Sequence, residues 1–88
     1  MVKIPTDWLA RVFLSLRRSA SHDAQAAAAE LQPFTEKPGQ RVPVPRATVM
    51  RTERALRGEL ERTEEPDRRL RLSEAARLIS ARLGTQGG

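Results

Sequence analysis

The chain has 88 residues, with 16 Lys and Arg against 11 Asp and Glu, a formal net charge of +5 and 39% hydrophobic residues. Twelve of the apolar residues are Ala, so 22 larger apolar side chains remain, enough for one small core and too few for two. The absence of Cys and the single His22 exclude disulfides, thiolate metal sites, thiol catalysis and a histidine cluster within one chain. The sequence predicts no enzyme, no cofactor and no metal site.

Thr6 and Asp7 follow Pro5 and open an apolar-periodic run. Trp8, Leu9, Val12, Phe13 and Leu16 share one face, which predicts a first helix over about 6–19. This run is too short to span a membrane, and integral membrane association is not expected. Ser21 is a candidate cap for a second helix over 21–32. Its apolar side is mostly Ala, and Pro33 marks its expected end.

Four of the six prolines fall within 33–46, which predicts an extended connector, with a turn at Pro38-Gly39. Val49, Leu56 and Leu60 form a narrow stripe on a third helix over 47–65, ended by Pro66. Ser73 reads as the cap of a fourth helix over 73–83, closed by Gly84, with a flexible tail at 85–88. The expected fold is all-α: three to four short helices in one domain over 1–84. N-terminal helices (1–32) pack on a helical hairpin (47–83) across the Pro-rich linker 33–46.

The charge is uneven along the chain. Residues 48–67 carry four cations and six anions, whereas residues 68–88 carry five cations and one anion. Arg68, Arg69 and Arg71 precede the expected Ser73 cap, and Arg77 and Arg82 extend the group. Arginines beside a helix N-terminus suit phosphate, because free N–H groups and the helix dipole add to the guanidinium charge. Arg41 and Arg46 are further candidates in the connector. The opposing reading pairs these arginines with the acidic residues Glu59, Glu61, Glu64, Glu65 and Asp67.

Residues 40–83 run as extended segment, helix, loop, helix. This order loosely resembles the ribbon-helix-helix DNA-binding dimers, as an architectural analogy and not a motif match. The resemblance implies one strand from each subunit, paired as a ribbon in the major groove. Gln40, Val42 and Val44 would share one strand face, and Arg41 would point the other way. Pro43 and Pro45 depart from the pattern by removing donors, and the third helix is longer than the pattern needs.

Two functional expectations follow. The first is a small cytoplasmic nucleic-acid-associated protein, a DNA-binding regulator or accessory factor, contacting phosphates through the C-terminal arginines. The second is a helical adaptor or inhibitor that binds a protein through an amphipathic face. The narrow seam of Val49, Leu56 and Leu60, together with Trp8 and Phe13, is the expected partner or homodimer interface.

Overall fold

Val2-Lys3-Ile4-Pro5 and Val42-Pro43-Val44-Pro45 share a pattern: two branched residues two apart, then proline. Alternation puts the branched pair on one face of an extended segment, and the proline ends the strand and opens a helix. The computed structural model describes residues 1–86 and builds the same unit from each segment. In chain order it contains β1 (Val2–Pro5), α1 (Thr6–Arg17), α2 (His22–Thr35), β2 (Arg41–Val44), α3 (Arg46–Arg62) and α4 (Pro66–Gln86). The two strands pair antiparallel as one two-stranded ribbon.

The two strand–helix–helix units are pseudo-equivalent. Adding 40 to the buried residues Val2, Ile4, Leu9, Val12 and Leu16 gives Val42, Val44, Val49, Thr52 and Leu56, which are all buried. Adding 48 to the buried residues Ala24, Ala27 and Leu31 of α2 gives the buried residues Leu72, Ala75 and Ile79 of α4. The strand-to-helix junctions match in dihedral angles: Pro5 has φ −57° and ψ 139°, and Pro45 has φ −55° and ψ 138°. Two equivalent pairs touch each other. Lys3 faces Pro43 across the ribbon, and the Ser19 hydroxyl donates to the buried Glu59 carboxylate. A pseudo-twofold axis therefore runs from the 3/43 pair to the 19/59 pair.

The halves interlock. α2 packs on α3 and β2 of the other unit's side, and α4 packs on α1 and β1. One core results, holding residues from both strands and all four helices. Full burial of a Leu, Ile or Val contributes roughly 1.5–3 kcal/mol per side chain, so the shared core outweighs what either half could bury alone. No helix among the described residues is long and apolar enough to cross a membrane.

The mainly helical expectation holds, and the details change. The connector contains a strand, and residues 2–5 form a second strand that the sequence reading did not anticipate. Pro33 lies inside α2, which runs on to Thr35. The proline removes a donor only in the last turn, and Phe34 packs on the core and holds that turn in place. α3 starts at Arg46 and stops at Arg62.

The fourth helix begins at Pro66, not at Ser73. Proline suits the first helical position, Asp67 suits the positive helix end, and Arg69 N–H donates to the Glu65 carbonyl at 2.9 Å. The buried stripe of α4 starts only at Leu72, so its exposed first turns lacked an apolar signal. α4 also continues through Gly84 to Gln86, so residues 85–86 are helical and not tail. The remainder of the expected tail, 87–88, lies outside the described residues. At the turn expected for Pro38-Gly39 the chain bends at Gly39 and Gln40, with Gly39 at φ +112°.

Candidate nucleic-acid interface

The ribbon buries one face and exposes the other. Val2, Ile4, Val42 and Val44 are buried, while Lys3, Arg41 and Pro43 are exposed. The bond from Thr6 N–H to the Gln40 carbonyl, at 2.9 Å, fixes the hydrogen-bonding parity. With the register Val2↔Val44 and Ile4↔Val42, the even-numbered residues make the ladder bonds. Lys3, Pro5, Arg41, Pro43 and Pro45 then direct their backbone groups to the outer edges. Pro43 and Pro45 therefore remove no ladder donor, which corrects the objection raised from sequence. They instead blunt the free edges against pairing with another strand.

Cations gather at this pole. Lys3 and Arg41 stand on the outer ribbon face, and exposed Arg46 opens α3 just beyond β2. Arg82 Nε donates to the Lys3 carbonyl at 2.9 Å, which ties the end of α4 to the outer edge of β1. Asp7 and Glu36 are the nearby acidic residues in sequence, each exposed.

The arginines near the start of α4 lie at the other pole. Arg68 and Arg82 are 14 residues apart on one helix, a rise of about 21 Å. Arg68 Nη2 lies 3.9 Å from Glu59 Oε2, and its side chain is only 27% exposed. Arg69 Nη1 donates to the carbonyls of Leu60 at 2.6 Å and Thr63 at 2.7 Å, so it caps the end of α3. These two residues hold the α3–α4 corner together. Arg71 is exposed and lies beside Arg18 and Ser15 of α1. Arg77 is exposed farther along α4. The sequence-predicted set thus divides into a ribbon pair (Arg41, Arg46), a corner pair (Arg68, Arg69) and two exposed residues (Arg71, Arg77). The helix N-terminus expected at Ser73 is absent, because Ser73 sits within α4.

The expected partner seam is also reassigned. Val49 and Leu56 are fully buried, and Leu60, Trp8 and Phe13 pack partly buried against the same core. α3 does present a seam, but α4 and α2 of the same chain cover it. Lys3 was missed from sequence and belongs to the outer ribbon face. Glu59, expected from sequence only as a pairing partner of the arginines, is a buried carboxylate bonded by Ser19, with Arg62 and Arg68 nearby. The repeat of Val2–Pro5 at Val42–Pro45 was the signal that could have placed Lys3.

No family model, curated protein or solved structure matches the chain.

Proposed function

We propose that this protein is a nucleic-acid-associated protein that lays its two-stranded ribbon in the major groove of duplex DNA. The observation that carries this reading is an antiparallel ribbon on a pseudo-twofold axis, with Lys3 and Arg41 on its outward face. The major groove is wide enough to admit such a ribbon. Lys3 and Arg41 reach base edges or phosphates, and Arg46 meets the flanking backbone. Arg71 and Arg77 add to the general attraction of the chain for a polyanion, while Arg68 and Arg69 serve the fold. The pairing of strands within one chain favours a monomer as the binding unit.

Binding to phosphates is largely independent of sequence and falls with salt, so a generic duplex is an adequate probe. Fluorescence anisotropy with a labelled 20-base-pair duplex should show Kd in the region of ~10⁻⁴–10⁻⁶ M, weakening steeply as salt rises. The double variant Lys3→Ala/Arg41→Ala should weaken binding at least tenfold and flatten the salt slope. Arg77→Ala should change it little. Absence of binding at low salt, or full binding by the ribbon variant, would sink the reading.

A further inference from the structure

The pseudo-twofold axis creates two equivalent grooves, and their chemistry differs. One lies between α1 and α4, and the other between α3 and α2. The first groove is lined by Arg11, Leu14, Ser15 and Arg18 of α1. Adding 40 gives Arg51, Arg54, Ala55 and Gly58, which line the second. The α4 side of the first groove presents Arg71, Glu74, Ala75 and Leu78. Subtracting 48 gives Asp23, Ala26, Ala27 and Glu30, which complete the second.

The second groove pairs most of its charges internally, with Arg54 and Asp23 on its walls outside these bonds. Arg51 Nη1 donates to Glu30 Oε1 at 2.8 Å, and Thr48 Oγ1 donates to the same oxygen at 3.1 Å. Arg62 is held by Ser21 and Glu59. In the first groove, Leu14 replaces Arg54 and Leu78 replaces Glu30, so its floor is apolar. Leu14 is 47% exposed. Among the described residues, Arg11, Arg18 and Arg71 make no ion pair on its walls. Glu74 on the wall and Glu65 at one end are the acidic groups that line it or the adjoining cleft.

We propose that the α1–α4 groove docks an acidic amphipathic helix of a protein partner. The apolar row of such a helix covers Leu14, Ala75 and Leu78, as helix-in-groove recognition requires. Its acidic flanks face Arg11, Arg18 and Arg71. A nucleic-acid backbone has the charge for these arginines but has no use for the leucines beneath them. This surface is separate from the outer face of the ribbon, so each is tested without the other.

The test is selection from a random 16-residue peptide phage library panned on the full chain. Selected peptides should be rich in Asp and Glu and carry apolar residues at i, i+3 or i+4 spacing. Synthetic copies should lose at least tenfold in affinity on Leu14→Asp and on Arg18→Glu. They should be unaffected by Leu70→Asp, which changes an exposed leucine elsewhere on α4, and by the ribbon variant Lys3→Ala/Arg41→Ala. Circular dichroism confirms that each variant is folded. An unfolded Leu14→Asp is replaced by Leu14→Gln, with the same loss expected. Three results would overturn the proposal: no acidic enrichment, peptides that bind Leu14→Asp and Arg18→Glu as well as the parent, or displacement of the peptide by duplex DNA from the ribbon variant.

Discussion

The N-terminal and C-terminal halves share an interior and differ on the surface. Eight buried positions of residues 2–31 recur in residues 42–79, offset by 40 in the strand and first helix and by 48 in the second helix, where the first half uses Ala24, Ala27 and Leu31 and the second uses Leu72, Ala75 and Ile79. The surfaces carry different chemistry: an apolar, cationic groove on one side, and a groove closed by Glu30 and Arg51 on the other. Packing constrains the interior to one template, because neighbouring side chains interdigitate closely. Solvent imposes no such constraint. Where two equivalent positions differ on the surface, the difference is free to serve recognition.

The comparison breaks first if the halves do not form one core. Leu16 and Leu56 are equivalent and fully buried. Each replaced by Ala should cost about 2–5 kcal/mol, and the two costs should be similar. Urea denaturation followed by circular dichroism checks this. A large cost for one and none for the other would separate the halves into independent units.

A smaller effect is expected at the axis. Glu59 is buried and bonded by Ser19, with Arg62 at 3.4 Å and Arg68 at 3.9 Å. Glu59→Ala removes the acceptor of the buried Ser19 hydroxyl and the anion beside Arg62 and Arg68, and should cost about 1–3 kcal/mol. Ser19→Ala should cost less, since the carboxylate keeps its arginines. Equal costs would show that the arginines contribute nothing.

The smallest effects are at the surface. Gly58 lies within α3, and a Cβ there would meet no atom within 4 Å. Gly58→Ala should therefore stabilise the protein by about 0.5–1 kcal/mol, through helix propensity alone. Breaking the exposed pair with Arg51→Ala should cost no more than about 1 kcal/mol. A thermal melt that fell on Gly58→Ala would show that this position is crowded.

Helix content was legible because Leu9, Val12 and Leu16, or Ala75 and Ile79, repeat at helical spacing. Strand β1 was not, since four residues ahead of a helix carry too little periodicity to stand out alone. It becomes visible only beside its copy at 42–45. The first turns of α4 were hidden because Arg68, Arg69, Leu70 and Arg71 offered no buried stripe. Ser73 also carried the identity of a cap without the position of one. The candidate site was half legible: Arg41 was rightly placed opposite Val42 and Val44, but Lys3 needed the ribbon register. The seam of Val49 and Leu56, expected as a partner or dimer interface, is instead buried in the core and covered by α4 and α2 of the same chain, which a count of hydrophobic residues does not disclose.

The central claim is that one chain pairs its own two strands about the pseudo-twofold axis. Lys3 and Pro43 form a non-hydrogen-bonded pair, in which the α-protons of facing residues lie close together. An isotope-edited nuclear Overhauser experiment on labelled chain diluted into excess unlabelled chain reads this contact directly. The account predicts a strong Lys3 Hα to Pro43 Hα cross-peak within the labelled chain and none in the intermolecular-filtered spectrum. A cross-peak found only between labelled and unlabelled chains would contradict it.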